Sequence, residues 1–246
     1  MKKFLIGLGA IVAFVLIAIM WGRSGDAPTR TDLVSQYPSI EEGSARAENK
    51  KILCPFLRMI ERSGLLDEYK AVKDLQIGLS DLIKAAQTFG CGMLECGGVA
   101  IKASQGQETG LGQEFGLLSL EQLHKADGIA HDCGFTFAKG GAEVSDEVRA
   151  ETLRALGQRA PDGKVSFQNI LNTKKEICNR QNVEMSEPGL VEVKLIYAYL
   201  GGVDRGYVDL EDVKRLFHAE MPKYKTERWI RFDLFKELNK AVGLDK

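Results

Sequence analysis

A cysteine followed by a proline is the feature of this sequence with the greatest chemical potential. Cys54 precedes Pro55, and proline is favoured at the first position of a helix, where its missing N–H costs nothing. Cys54 would then be an N-cap, with free backbone N–H groups and the positive end of the helix dipole near its sulfur. That environment lowers a thiol pKa. A thiolate held by backbone donors suits axial ligation of a haem iron; the alternative is a small buried packing residue.

A histidine further along the chain could move protons beside such a centre. His131 stands between Ala130 and Asp132. General acid-base help from a placed side chain is typically worth about 10²–10⁴ in rate. A lone histidine is more often a hydrogen-bonded structural residue, so both interpretations stay open at this stage.

Three segments, in this order, resemble the chloroperoxidase and unspecific peroxygenase family of haem-thiolate enzymes. Residues 53–66 resemble the family's Pro-Cys-Pro segment and the helix after it. Residues 117–123, running into 129–132, are similar to the helix that leads to its Glu-His-Asp motif. Residues 217–222, with Trp229 downstream, resemble its Phe-x-x-Glu-Arg-Leu-Pro…Gly-Trp segment. The resemblance spans about residues 50–230.

The resemblance implies a fold, a cofactor and a reaction. The expected fold is all-α, a single domain of about ten helices that resembles the chloroperoxidase fold. Cys54 would bind haem b as the axial thiolate, with Pro55 in the same cofactor-binding segment. The substrates would be hydrogen peroxide and a small organic molecule or halide.

The family's distal groups are only partly matched. His131 corresponds to the histidine of Glu-His-Asp, which pairs with a catalytic glutamate in some members. That glutamate would fall at Gly201 or Gly202, and the closest carboxylate is Asp204, so His131 and Asp204 are the candidate catalytic residues.

The family's second metal site is also incomplete. Its magnesium ion lies beside a haem propionate and uses the glutamate of Glu-His-Asp and a following serine. Those positions are Ala130 and Gly134 here, so magnesium is not expected. Lys139 and Arg58 are candidates to meet the propionates instead.

The first segment of the chain predicts a membrane anchor. Residues 4–21 form an uncharged apolar run after Lys2 and Lys3, long enough for a bilayer span, and no clear signal-peptidase site follows. The anchor is assigned to residues 1–22, a polar linker to 23–48 and the helical domain to 49–246. The positive-inside rule places the domain on the periplasmic, extracytoplasmic side; a cleaved signal peptide is the alternative.

Composition limits the remaining classes of function. The net charge of −1 and the scattered basic residues argue against a nucleic-acid partner. In an oxidising compartment the odd cysteine count leaves one thiol over, which would be Cys54. The other four could form two disulfides whose pairing the sequence leaves open, and zinc is a weaker alternative for the first two. They are Cys91, Cys96, Cys133 and Cys178.

Apolar periodicity predicts helices almost everywhere. A Gly-x-apolar-(Ser/Asp)-apolar pattern recurs at Ser119, Ser166 and Asp209, each a candidate N-cap. Two of these segments resemble halves of calcium loops, but Ala160, Gly201 and Val203 stand at early ligand positions and have no side-chain oxygen, which favours capped turns. The predicted helices cover 55–63, 67–75, 80–88, 91–103, 120–126, 146–157, 167–180, 190–200, 210–219 and 226–241.

Two functions follow from these observations. The first is a membrane-anchored haem-thiolate peroxidase or peroxygenase that uses Cys54 and His131. The second is a catalytically degenerate relative, serving as a haem-binding or protein-interaction domain, which the losses at Ala130, Gly134 and Gly201 favour.

Overall fold

The computed structural model describes residues 26–71, 73–92, 95, 98–99, 117–126 and 129–244. The predicted anchor at 4–21 and most of the predicted helix at 91–103 lie outside these residues. Within the part of the chain that is described, no helix is both long and apolar enough to cross a membrane.

The described residues are largely helical, which confirms the all-α prediction. The strands are only two or three residues long and form two antiparallel pairs, β1 with β2 and β3 with β4. The helices are α1 (Arg30–Gln36), α2 (Pro55–Arg62), α3 (Leu79–Thr88), α4 (Asp146–Arg159), α5 (Phe167–Arg180), α6 (Glu187–Tyr199), α7 (Gly202–Arg205), α8 (Leu210–Phe217) and α9 (Phe232–Ala241). The strands are β1 (Gln76–Gly78), β2 (Leu117–Ser119), β3 (Lys164–Val165) and β4 (Val208–Asp209).

Serine caps set the starts of the three longest helices. The hydroxyls of Ser145, Ser166 and Ser186 each accept a hydrogen bond from the backbone N–H three residues on. Each bond satisfies a donor that has no partner inside its helix. The predicted helix at 167–180 is therefore confirmed at both ends.

The predicted helix at 67–75 is wrong. Its described residues include two separate 3₁₀ turns, Asp67–Tyr69 and Lys73–Leu75. Asp74 and Leu75 have φ angles of 57° and 48°, a left-handed conformation that an α-helix cannot contain. The chain turns there into β1.

The described part of the predicted linker, residues 26–48, packs onto the domain. Helix α1 buries Leu33, and Ile40 follows it into the same core. Arg30 donates to the carboxylate of Glu41 at 2.6 Å and to the carbonyl of Pro222 at 2.8 Å. This segment is part of the folded unit and does not act as a spacer.

Two helix–loop–helix units form the second half of the domain. Helices α4 and α5 flank β3, and helices α6 and α8 flank the loop that contains β4. The two strands pair so that Val165 faces Val208, and both side chains are fully buried. Two of the recurring Gly-x-apolar segments thus contact each other across the pair.

An arginine occupies the second of these loops. The Arg205 guanidinium donates to Asp209 at 2.8 Å and to the carbonyl of Leu200 at 3.0 Å, and it stacks on the Tyr224 ring at 4.0 Å. Asp212, at the closing position of a calcium loop, accepts the backbone N–H of Lys223 at 2.6 Å. The oxygen atoms of Leu200, Asp209 and Asp212 therefore accept hydrogen bonds from protein donors, the Arg205 side chain and the backbone N–H of Lys223.

Gly201 and Gly202 leave no room for the glutamate that the resemblance would put there. A Cβ on Gly201 would lie 2.1 Å from the Tyr224 ring, and one on Gly202 would lie 2.5 Å from the Tyr197 ring. Gly201 also has a φ of 73°. A glycine is needed at 201 for both its backbone angle and its contact.

We expect Gly201→Ala to destabilise the protein by about 3 kcal/mol or more, because left-handed strain of about 1 kcal/mol adds to the overlap with Tyr224. Gly163→Ala is the matched control, since Gly163 has a φ of 77° with open space at its Cβ. Gly163→Ala should lower the free energy of unfolding only by the backbone strain, about 1 kcal/mol. Urea unfolding of both variants measures the difference, and equal losses would contradict the packing argument.

Candidate functional site

Cys54 occupies the position that the sequence predicts, the N-cap of α2 with Pro55 at the first helical position. It is the free cysteine among the described residues. Burial raises the pKa of the Cys54 thiol, while the backbone N–H groups of Leu57 and Phe56 oppose that effect. The expected lowering of this pKa by the helix end is therefore wrong, because the loss of solvent outweighs the donors.

Arg58 holds the chain just before Cys54. Its guanidinium donates to the carbonyls of Ile52 and Leu53 at 2.9 and 3.0 Å and to that of Phe217 at 3.0 Å. The side chain is fully buried, and burial lowers its pKa to about 10, although Glu48 opposes that effect. Arg58 therefore positions the Cys54 segment and is not placed to meet a propionate.

His131 lies in a buried polar cluster with two residues that the sequence did not single out. Its Nε2 is 3.2 Å from Oε2 of Glu192, and its Nδ1 is 3.2 Å from the carbonyl of Ile129. The same carboxylate oxygen accepts a hydrogen bond of 2.5 Å from Nζ of Lys174. Glu192 thus joins the histidine to the lysine.

The charges of this cluster are strongly coupled. Lys174 is fully buried, and its ammonium lies 4.9 Å from the centre of the Phe135 ring. Burial alone raises the pKa of the Glu192 carboxyl, but Lys174 and His131 outweigh it and lower the pKa to about 2. Glu192 is therefore ionised over the whole physiological range.

Three elements bring the cluster together. Helix α5 supplies Lys174, α6 supplies Glu192 and the loop before α4 supplies His131. A disulfide between Cys133 and Cys178 ties that loop to α5. Cys91 is also disulfide-bonded; its partner lies outside the described residues.

The charge of Glu192 interacts electrostatically with the Cys54 thiol. The negative charge of Glu192 raises the pKa of the Cys54 thiol and contributes to that of Arg58. Such a contribution requires the groups to be near each other in a poorly solvated interior. The ionised Glu192 carboxylate therefore adds to the effect of burial on the Cys54 thiol.

Asp204, the carboxylate nearest the expected position in sequence, has other partners. It accepts a hydrogen bond of 2.7 Å from the Thr226 hydroxyl and lies 3.5 Å from Arg228. Glu192 is the carboxylate at His131, and it lies nine residues before Gly201, where the resemblance predicts one.

The other positions that the sequence resemblance singles out have surroundings that do not point to a haem or magnesium site. A Cβ on Gly134 would lie 2.0 Å from the Phe137 ring, so a serine does not fit there. Lys139 is exposed. Glu220 pairs with Arg62 at 3.4 Å. No group of three or more His, Cys, Asp or Glu side chains in the described ranges could hold a metal ion.

The described part of the domain has open cavities. One of about 460 Å³ lies beside Glu61 and Glu121, and one of about 250 Å³ lies beside Thr152 and Gln181. Neither is lined by Cys54 or His131.

Sequence comparison adds no relative to these observations. No known protein-family model matches the chain, and no curated protein matches it significantly.

We expect Lys174→Met and Glu192→Gln each to destabilise the protein by about 3–5 kcal/mol, because each leaves a buried group without its partner. The double variant should lose less than the sum of the two. Chemical unfolding of the three variants gives the coupling energy.

Lys175→Met is the control, since Lys175 is the exposed neighbour on the same helix. Its effect should stay within about 0.5 kcal/mol. Additive losses in the double variant would contradict a direct Lys174–Glu192 interaction.

Proposed function

We propose that this chain is a membrane-anchored haem-thiolate peroxidase or peroxygenase, which uses hydrogen peroxide to oxidise a small organic substrate or a halide. The observation that carries the proposal is the contact between Glu192 and His131, a largely buried pair whose negative charge acts on the free Cys54 thiol. The resemblance predicts a glutamate paired with this histidine, and Glu192 makes that pairing at 3.2 Å.

The donor set around Cys54 fits an axial haem ligand. The thiol is free, it heads a helix, and the N–H groups of Phe56 and Leu57 act on it. Coordination to iron deprotonates a thiol directly, so the raised pKa of Cys54 does not prevent ligation. Bound haem b would supply the iron that activates peroxide.

The chain's own residues supply the proton transfers. His131 and the Glu192 carboxylate are in contact, so a proton taken from peroxide by one can be shared with the other. The same pair can return that proton to the oxygen that leaves as water. Lys174 holds the carboxylate ionised, which orients it toward the Nε2 of His131.

The location proposed is the outer side of a membrane, with residues 4–21 as the anchor. The disulfide between Cys133 and Cys178 supports an oxidising compartment. The bonded state of Cys91 supports it as well.

A second candidate is a degenerate relative that binds haem or a protein without turnover. The tight ion pair of Lys174 with Glu192 favours it, because a carboxylate with a pKa of about 2 is a weak base.

We expect Cys54→Ala to abolish stoichiometric haem uptake while it leaves helix content unchanged. The reason is that the sulfur is the proposed ligand and its removal disturbs only a partly buried site. Haem titration with circular dichroism measures both. Uptake by Cys54→Ala equal to that of the wild type would show that Cys54 is a packing residue.

We expect His131→Ala to lower peroxidase turnover by about 10²-fold or more, within the range of general acid-base groups. Glu192→Gln should have a similar effect in the fraction that remains folded. Haem content should stay intact in both variants, and the assay is steady-state oxidation of a chromogenic substrate at saturating peroxide.

Asp204→Asn is the matched control for this assay, because Asp204 contacts Thr226 and not His131. Its turnover should equal that of the wild type. Haem bound without any turnover that depends on His131 would instead support the degenerate relative.

A further inference from the structure

The described chain begins at a fixed place on the domain. The backbone N–H of Ala27 donates to the carbonyl of Glu227 at 2.9 Å, and Lys225 donates to the carbonyl of Pro28. Residues 27–30 are therefore held along the segment just before α9.

This attachment keeps one face of the domain near the membrane. Five residues lie between Trp21, the end of the apolar run, and Ala27. The six Cα–Cα steps from Trp21 to Ala27 span at most about 20–22 Å when the chain is extended. The headgroup layer accounts for about 5–7 Å of it. The segment after Glu227 therefore lies close to the bilayer surface whenever residues 4–21 are inserted.

That segment carries the most exposed large hydrophobic side chain of the described residues. Phe232 is 66% exposed at the first position of α9, and Trp229 precedes it by three residues. Lys236 and Lys240 follow at intervals of four residues and are also exposed, so they share one stripe of the helix with Phe232. Glu237, on the neighbouring stripe, is paired with Arg228 at 2.7 Å.

We propose that these four residues form a membrane-facing strip, Trp229, Phe232, Lys236 and Lys240, which rests on the bilayer that holds the anchor. The aromatic side chains enter the interfacial layer, where such rings are favoured. The two lysines meet the phosphates of anionic lipids, which attract basic side chains at a membrane surface. The inference rests on the anchoring proposed above and is independent of haem.

Trp229 is a built-in probe of this contact. The chain has two tryptophans, so the full-length protein with Trp21→Phe reports Trp229 alone. After reconstitution into vesicles that contain lipids brominated near the top of the acyl chain, its fluorescence should be strongly quenched. Phe232→Ser should at least halve the quenching.

A charge-matched pair of variants tests the lysines. Lys236→Glu with Lys240→Glu should reduce the quenching in vesicles of anionic lipid but not in zwitterionic ones. Lys125→Glu with Lys175→Glu makes the same change of net charge at exposed positions elsewhere, and it should have no effect in either lipid.

The outcomes separate docking from anchoring. Protein that alkaline carbonate washes from the membrane would overturn the anchor, and the strip with it. Protein that stays in the membrane while Trp229 is unquenched would overturn the strip alone. Quenching of Trp229 that Phe232→Ser leaves unchanged would also overturn the strip. So would a protein that is dimeric and unquenched, and that Phe232→Ser converts to a monomer, because Phe232 would then face a second copy of the chain.

Discussion

The buried ion pair between Lys174 and Glu192 is the interaction on which the candidate site depends. A lysine that is fully buried is stable as an ammonium only if a carboxylate meets it at close range. The Glu192 oxygen does so at 2.5 Å. The pair fixes α5 against α6, and the same oxygen is the one that contacts His131. A substitution of Lys174, Glu192 or His131 therefore changes the hydrogen bonds and the charge around the other two.

The scaffold around this pair keeps the loop of His131 in place. The disulfide between Cys133 and Cys178 closes the loop onto α5, and the Thr152 hydroxyl donates to the carbonyl of Phe135 at 2.8 Å. On the other side, the pairing of β3 with β4 joins the two helix–loop–helix units that contain α5 and α6. These constraints are needed because an untethered loop would not keep His131 within hydrogen-bond distance of Glu192 and Lys174. A site needs such supporting contacts to keep its side chains in place.

Local signals in the sequence were sufficient for much of the fold. Serine caps and a proline after Cys54 predict helix starts, because these residues act on the backbone groups next to them. The predicted helix at 67–75 failed because its end depends on left-handed backbone at Asp74 and Leu75, which neither residue type signals. The disulfide pairing depends on contacts between distant segments, and no local pattern contains that information.

The site was predicted only in part, for a similar reason. Cys54 and His131 lie in short motifs that can be recognised in the sequence. Glu192 and Lys174 lie in no such motif, and each only interrupts the apolar pattern of its helix. Each nonetheless lies on the buried stripe of its helix, Glu192 three residues after Gly189 and Lys174 three before Ile177, both of which are buried. Opposite charges on the core stripes of consecutive helices are the signal that could have identified the pair. Asp204 was chosen for its nearness in sequence to Gly201, which does not measure distance in the fold.

The central claim is that Cys54 would ligate haem iron as a thiolate, with the Glu192–His131 pair as the proton-transfer group. The absorption spectrum of the reduced, carbon-monoxide-bound protein, taken after haem is supplied to the full-length chain, tests it most directly. The account predicts a Soret band shifted strongly to the red of the position that histidine-ligated haem proteins show. A band at the histidine position, or no band that titrates with haem, would contradict it.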